Sequence, residues 1–501
     1  MIPKTICIFI ASIVLLRAEA GAQAIATTPT RSDQAILQEL EQMRARIQEL
    51  EAELQQRQNV AATPDPRPAA ASEAKEAEPT PASEPFAFAD FTWLNGNSRT
   101  KESPLDTKVF TGEFRLDASY IYDFNHPKDD TLVGSSESGR TSEFQVQQLG
   151  VGGDFHYNNI RGRVMTQFGM YSSMTPRNDA SPARGQWDLN GAYRYLSEAY
   201  GGYHFDALQG INLDAGIFIS YVGLFSYYNF DNWAYQPSYV SSNTPWFFNG
   251  LRLQVFPTNK LKIEPWLVNG WQAYGRFNHR PGLGLQVLWR PNGALSILGN
   301  QYGLGRDTLG VGKRTRWHTD DSIEVKYFDK PMAIFDKAAF SLTLDAGCES
   351  GGGVSCFGNT AGGPKQSFLG VMAYNRFWFH KDLFGLTLGG GKINNPGRYL
   401  VLLPPINGAT AASGTPYFTE NPGDPYKAWD ASATFDYMPS QFLTWRLEYD
   451  HRAANVPYFA GSGGVTPPGG NSGTAGSLVP GFIPDLRKRE NRLNFAVLVK
   501  L

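Results

Sequence analysis

Apolar and polar residues alternate one by one along much of the chain after residue 86. The clearest stretches are 112–124, 428–438, 442–452 and 490–501. In the third stretch, Leu443, Trp445, Leu447 and Tyr449 alternate with polar or charged residues. Successive side chains of a β-strand point to opposite faces, so this pattern predicts strands with one apolar and one polar face.

The connections between the predicted strands favour a barrel over a soluble sandwich, in which strands also alternate. Between residues 112 and 501 we predict about sixteen strands, 161–171 and 260–271 among them. Their lengths suit a tilted bilayer crossing of about 9–11 residues plus the strand ends. Tight turns such as Asn158-Asn159 alternate with long loops such as 394–427 and 453–489. This rhythm predicts an all-β protein, a closed antiparallel transmembrane β-barrel with both chain ends on its periplasmic side.

A barrel of this size has an interior too wide for the side chains of its strands to fill, so we expect water inside it and charged residues on its inner face. Both signs are present, without the basic ladder of a phosphate-selective pore. Any one of these residues could instead pair with a neighbouring strand and stabilise the wall. The candidate pore-lining residues are Glu113, Arg115, Asp117, Arg161, Arg163, Arg252, Lys262, Glu324, Lys326, Asp430, Asp436, Arg446, Glu448, Asp450 and Arg452.

One long loop, residues 223–245, is rich in tyrosine, phenylalanine and tryptophan. It is a candidate for a constriction that folds into the barrel. Aromatic side chains also prefer the membrane interface, so a surface loop or a girdle at the membrane boundary is the alternative.

The N-terminus has the three parts of a secretory signal: a basic start, an apolar core at Thr5–Leu16, and small residues up to Ala24. We therefore expect residues 1–24 to be removed. The two remaining cysteines, Cys348 and Cys356, are candidates for a small loop disulfide in an oxidising compartment. Two free thiols are the alternative.

Residues 33–58 show a different period, with apolar residues spaced alternately four and three apart. This heptad spacing predicts a short α-helical coiled coil in the periplasm that joins subunits; the alternative is a single amphipathic helix. The seam consists of Ile36, Leu40, Met43, Ile47, Leu50 and Leu54.

A Pro- and Ala-rich linker at 61–85 and a lead-in segment at 86–111 separate the predicted coiled coil from the barrel at 112–501. The linker has almost nothing to bury and should be extended. The segment before the first strand is too short for a folded plug domain, which disfavours an energised transporter.

Composition narrows the classes of function. The 45 Lys and Arg residues almost cancel the 47 Asp and Glu residues, so no positive field favours nucleic acid as a partner. The 7 histidines are scattered outside hydrolase motifs, and no Cys/His metal spacing occurs. We therefore expect no enzyme activity, no cofactor and no metal.

Several short runs carry a family resemblance: Phe91-Thr-Trp-Leu-Asn-Gly-Asn97, Tyr120-Ile-Tyr-Asp-Phe-Asn125, Asn269-Gly-Trp271 and Arg446-Leu-Glu-Tyr-Asp-His-Arg452. Over about residues 88–501 the chain resembles the putative β-barrel porin-2 (OmpL-like) family of bacterial outer-membrane proteins. The resemblance implies a porin-like barrel without a defined substrate and offers no site residues. Many outer-membrane barrels end in Phe or Trp, whereas this chain ends in Leu501.

Together these features predict an outer-membrane porin that lets small hydrophilic solutes or ions diffuse passively through a water-filled barrel. Outer-membrane lipid and the solutes are the expected partners, with a homo-oligomer formed through the periplasmic coiled coil. One alternative is a structural anchor or tether that uses the coiled coil. A hydrolase carried by the barrel is a weaker third hypothesis.

Overall fold

The computed structural model describes residues 42, 44–46 and 48 and residues 84–501, except 180, 182–184, 277–279, 306–313, 332, 360, 397–403, 411–412, 415–416 and 418–423. The chain divides into two units, Met1–Pro79 and Thr80–Leu501. In the first unit the described residues are helical and exposed. The signal segment, the six seam positions of the predicted coiled coil and most of the linker lie outside the described residues.

Sixteen strands in the described part of the second unit form one closed barrel, in which every neighbouring pair is antiparallel. The barrel strands are β1 (Phe110–Asp123), β2 (Phe144–Tyr157), β3 (Ile160–Thr166), β4 (Leu196–Phe205), β5 (Ile211–Ile219), β6 (Phe247–Thr258), β7 (Leu261–Val268), β8 (Gly282–Asn292), β9 (Leu295–Gly305), β10 (Thr315–Asp329), β11 (Phe335–Ser350), β12 (Ser367–Phe379), β13 (Phe384–Asn395), β14 (Tyr426–Ser440), β15 (Leu443–Ala454) and β18 (Arg489–Lys500). A two-stranded ribbon, β16 (Phe459–Ala460) and β17 (Leu486–Arg487), lies in the link between β15 and β18.

The first and last strands close the barrel. β1 pairs with β18 in a register that places Ala118 opposite Val497 and Tyr120 opposite Phe495. Closure leaves no sheet edge, so each strand has a hydrogen-bonded neighbour on both sides, as a structure in hydrocarbon requires. The predicted strand number and closed antiparallel architecture are confirmed.

Both of the predicted strands given above, 161–171 and 260–271, extend too far at their C-terminal ends. The strand predicted at 161–171 ends at Thr166, because Gly169 has a positive φ of 99° and Tyr171–Met174 form a helical turn. The strand predicted at 260–271 ends at Val268. Beyond it the chain turns, and Trp271 packs on Phe248 and Tyr302.

The two ends of the barrel differ in their connections. At the short-turn end, links of a few residues join β2 to β3, β4 to β5, and so on through β14 to β15. Residue 110 at the start of β1 and the C-terminal Leu501 lie at this end. The long-loop end carries the remaining links, including residues 220–246 between β5 and β6.

The strands have an apolar outer face and a polar inner face. On β15, Trp445, Leu447 and Tyr449 are 40–45% exposed, whereas Arg446 and Glu448 are 2% and 0% exposed. The alternation in the sequence therefore corresponds to an outer surface suited to hydrocarbon and an interior lined with charge. Within the described residues, no helix is long and apolar enough to cross a membrane.

Candidate functional site

The link between β5 and β6, residues 220–246, folds into the barrel, and we call it the inward loop. Trp233, Ala234 and Tyr235 near its tip are 3%, 0% and 1% exposed. Of the two locations that the sequence allowed for this aromatic loop, the structure shows the interior.

Carboxylates on the barrel wall hold the inward loop. Glu448 accepts hydrogen bonds from the backbone N–H groups of Tyr235 (2.5 Å) and Gln236 (2.7 Å). Asp117 accepts from the Tyr235 hydroxyl, 2.9 Å, and from Asn229 Nδ2, 2.9 Å. Because charged acceptors form the stronger hydrogen bonds of proteins, these contacts fix the path of the loop.

Arg446 on β15 holds the same loop. Arg446 donates to the carbonyl oxygens of Asn229 (3.2 Å), Asn232 (2.6 Å) and Ala234 (3.0 Å). Its guanidinium also pairs with Asp436, with an N–O distance of 2.7 Å. The buried charge is thereby compensated by a carboxylate and by backbone dipoles.

Further wall residues contact the loop at other points. Arg115 pairs with Asp231 of the loop at 2.9 Å, and the Arg452 guanidinium lies 4.0 Å from the ring centre of Tyr239. Asp430 accepts hydrogen bonds from the Ser238 hydroxyl, 2.8 Å, and the Tyr239 N–H, 2.9 Å.

The second segment inside the barrel is part of the lead-in, residues 86–102, which we call the lead-in strap. The Phe86 N–H donates to the carbonyl of Asn259, 2.8 Å, in the turn between β6 and β7. Towards its other end, Arg99 donates to the carbonyl oxygens of Ser440 and Leu443, both 2.7 Å, around the turn between β14 and β15. The strap is not a plug domain, but it crosses the short-turn end from one wall to another.

The lead-in strap and the inward loop meet in the interior. The Trp233 N–H donates to Asn95 Oδ1, 2.8 Å, and the Trp233 indole N–H donates to the carbonyl of Trp93, 3.1 Å. At Gly96, with a φ of 73°, an added Cβ would lie 2.3 Å from the carbonyl oxygen of Leu224. A side chain at this position would push the two segments apart.

The predicted pore-lining residues all lie on inward positions, but many are covered. The buried ones are Arg115, Asp117, Glu324, Asp436, Arg446, Glu448, Asp450 and Arg452. The partly buried ones are Glu113, Arg161, Arg163, Arg252, Lys262, Lys326 and Asp430. The inward loop and the strap occupy part of the space beside these charges, because the loop brings its own aromatic and polar groups into the barrel.

Other inward charges form pairs between strands. Arg163 pairs with Glu198 (2.9 Å), Asp154 (2.7 Å) and Glu113 (3.0 Å). Arg252 pairs with Asp214 at 2.8 Å. These contacts match the wall-stabilising alternative that the sequence left open.

Sequence reasoning missed several charged residues of the interior, including Glu198 and Asp214 on the strands and three that line the first cavity described below. Arg376 pairs with Asp436 at 2.8 Å. It lies on β12, where most residues are apolar, so the sequence pattern did not mark it as a candidate for the pore lining. Asp231 and Arg99 belong to the inward loop and the strap, where no strand period marks the side that faces the lumen.

Two cavities flank the contact between strap and loop. The first, of about 510 Å³, lies towards the short-turn end and is lined by the strap, the loop tip and inward residues of β12, β14 and β15. The second, of about 310 Å³, is lined by the strap, the start of the loop and inward residues of β6 to β10.

Arg99 carries a charge in the first cavity. Burial lowers its pKa to about 10, although nearby Asp436 acts in the opposite direction. The guanidinium therefore remains protonated at neutral pH. It lies 4.9 Å from the ring centre of Phe230 on the inward loop, a cation–π contact.

Cys348 and Cys356 form a disulfide that joins β11 to the following link. Within the described residues, no group of three or more His, Cys, Asp or Glu side chains is arranged to hold a metal ion.

Comparisons with known proteins identify one family and several similar solved structures. A sequence profile described as Putative beta-barrel porin-2, OmpL-like matches residues 111–479, more than half of the chain. Comparison with curated proteins finds no match.

Among solved structures, the chain is similar to the outer membrane channel DcaP of Acinetobacter baumannii, with 15% identity, a TM-score of 0.43, and coverage of 81% of this chain and 100% of that one. It is also similar to outer-membrane expressed OmpT of Vibrio cholerae, with 9% identity, a TM-score of 0.45, and coverage of 79% and 99%. A third is an anion-selective porin from Comamonas acidovorans, with 10% identity, a TM-score of 0.42, and coverage of 78% and 99%.

Proposed function

Because the chain belongs to the Putative beta-barrel porin-2, OmpL-like family and is an outer-membrane channel protein, we propose that small hydrophilic solutes diffuse passively through it. The observation that carries this proposal is the closed barrel with charged residues on its inner face. A spanning sheet must close, and a polar interior gives solutes a path through the hydrocarbon layer.

The proposed path runs through the two cavities beside the contact between strap and loop. Of the inward charges, Arg252, Lys262 and Glu324 line the second cavity, and Asp436 and Arg446 line the first. We assign these five to the solute path; Arg446 also holds the inward loop, and Arg252 also pairs with Asp214 in the wall. We assign to Asp117, Asp430, Glu448 and Arg452 the holding of the inward loop, and to the paired Arg163 and Glu113 the stabilisation of the wall.

The short-turn end is assigned to the periplasm, because outer-membrane barrels have short periplasmic turns. The signal segment 1–24 would direct the chain through the inner membrane. Residues 33–58 would then form a periplasmic coiled coil that joins copies of the chain, with residues 61–85 as an extended spacer.

The first test is the conductance of the purified mature chain in a planar lipid bilayer. We expect discrete, stable current steps in KCl. A folded barrel that inserts without conducting would overturn the proposed diffusion and favour the anchoring alternative.

A second test addresses the inward loop. Replacing residues 227–237 with a short Gly/Ser link removes the loop tip, so the conductance of each step should rise. The matched control is the same replacement within residues 466–476 of the link between β15 and β18, which should leave the step unchanged. Equal steps in all three proteins would show that the inward loop does not narrow the path.

A further inference from the structure

The first cavity contains more positive than negative charge. Its lining has four acidic residues, of which Glu102 is exposed. Asp436 pairs with Arg376 (2.8 Å) and Arg446 (2.7 Å), and Asp382 pairs with Lys337 at 2.6 Å. Lys101 pairs at 2.7 Å with Asp90, which does not line the cavity. Asp231 pairs at 2.9 Å with Arg115, which does not line the cavity. The cationic residues in the lining are Arg99, Lys101, Lys337, Arg376, Lys381 and Arg446.

Of the three arginines in the lining, Arg99 has the weakest compensation of its charge. Its terminal nitrogens donate to the carbonyl oxygens of Ser440 and Leu443, both 2.7 Å, and to the Thr444 hydroxyl, 2.8 Å. All three acceptors are neutral, and among the described residues no carboxylate forms an ion pair with Arg99. Its Nε is buried without a hydrogen-bond partner in the same part of the chain. Neutral acceptors fix the position of the guanidinium and leave its charge uncancelled.

The cavity also has aromatic walls. Phe230 and Trp233 of the inward loop and Trp378 of β12 line it together with the cations. Its volume of about 510 Å³ lies within the range of about 300–1,000 Å³ typical of small-molecule sites. Cations beside flat apolar surfaces suit a molecule with a carboxylate at one end and an apolar body at the other.

We propose that this cavity binds small organic carboxylates as they pass, with Arg99 attracting the carboxylate and Phe230 and Trp378 contacting the apolar body. The proposal rests on the proposed channel function and gives it a solute class. The lead-in strap is then part of the selective path, because it carries Arg99 into the barrel.

The charge is tested by the zero-current potential of the mature chain in a KCl gradient, which measures the permeability of chloride relative to potassium. We expect the wild type to prefer chloride. Arg99→Gln should lower the chloride-to-potassium permeability ratio about threefold, the effect expected from removing one solvated charge. Arg99→Lys keeps the charge and should retain most of the preference. Arg489→Gln, at an exposed site at the long-loop end, is the matched control.

A second variant separates the charge from the position of the strap. Lys381 lines the same cavity from the turn between β12 and β13 and is not part of the strap. Lys381→Gln should therefore also lower the chloride preference, without a change in the size of the conductance step.

The apolar contact is tested with benzoate and its neutral analogue benzamide. Benzoate should reduce the KCl current at a lower concentration than benzamide, and Arg99→Gln should remove this difference. Trp378→Ala should weaken the effect of benzoate and leave the chloride preference in place.

The outcomes separate this inference from the proposed function. Absence of conductance in the wild type would overturn the channel function itself. Conductance with a preference for potassium, a ratio unchanged in Arg99→Gln, or a loss in Arg99→Lys equal to that in Arg99→Gln would overturn the anion site and leave the channel function intact. Equal effects of benzoate and benzamide would overturn the carboxylate specificity.

Discussion

At the scale of single residues, the inward charges of this barrel mainly position other parts of the chain. Glu448 is fully buried and accepts two backbone N–H groups from the tip of the inward loop. A carboxylate in such a position replaces the water that the two donors would otherwise bind. The diameter of the path therefore depends on hydrogen bonds to a few strand residues.

Glu448→Ala should release the loop tip. The substitution leaves the N–H groups of Tyr235 and Gln236 unpaired, which costs about 1–3 kcal/mol for each buried donor. We expect a larger conductance step and a lower unfolding temperature, measured by planar-bilayer recording and by circular dichroism. Glu84→Ala, at an exposed position, serves as the control. An unchanged conductance step would mean that Glu448 does not keep the inward loop in the solute path.

Asp129 joins two loops at the long-loop end. It accepts hydrogen bonds from the N–H groups of Val465 (2.9 Å) and Thr466 (2.7 Å). Burial raises the pKa of Asp129, but these hydrogen bonds and that of the Thr466 hydroxyl outweigh the burial and hold the pKa below its ordinary value. The ionised form is thus the one that joins the loops.

The sign of the pH dependence follows from this lowered pKa. The contribution to stability should be complete above the unfolded pKa of about 3.9 and lost as the pH falls through the lower folded value. Hydrogen exchange, corrected for intrinsic rates, should show the N–H groups of Val465 and Thr466 protected at neutral pH and exposed in strong acid. Asp129→Asn should weaken their protection at neutral pH, and Asp130→Asn should not. Protection unaffected by Asp129→Asn would contradict this assignment.

At the scale of elements, the inward loop and the lead-in strap decide what the barrel can pass. Neither contributes a strand to the barrel, and each is held by contacts with several strands. Their mutual contact at Trp233 and Asn95 makes them one partition between the two cavities. Moving either segment should change the path on both sides.

A disulfide at the long-loop end, away from this partition, joins Cys348 on β11 to Cys356 in the link that leads to β12. Cys348 and Cys356 are separated by 8 positions, and a closed loop of that length constrains the unfolded chain by about 2.5 kcal/mol. The double variant Cys348→Ser/Cys356→Ser should therefore unfold at a lower temperature by circular dichroism, with the conductance step unchanged. The oxidised and reduced wild type give the matched comparison. A changed conductance step would show that the disulfide affects the solute path.

At the scale of the whole molecule, closure separates two environments. The outer face meets hydrocarbon, and the inner face holds charges that would be costly to bury unpaired. Each strand contributes to both faces, so a substitution at an inward position can alter the interior and leave the outer surface unchanged. The predicted coiled coil would add a third level, the association of whole barrels.

Deleting residues 33–58 should abolish association if those residues form the coiled coil that joins subunits. Chemical crosslinking in detergent should then give monomers, whereas each barrel should keep its conductance step. Replacing Leu40, Met43, Ile47 and Leu50 with Gln keeps the chain length and should have the same result. Oligomers that persist in both variants would assign association to another surface.

The sequence by itself determined the barrel. In a strand between lipid and a polar interior, apolar and polar residues must alternate with a period of two, and residues such as Trp445 and Arg446 show this local pattern. The same reasoning predicted the turns and the strand count. Only the tertiary structure decided the contents of the barrel. Trp233, Asp231 and Arg99 lie outside the strands, where no period marks a face, and their positions depend on contacts with residues more than a hundred positions away. Such long-range contacts leave no local pattern, so the inward loop had two possible locations until the fold showed one.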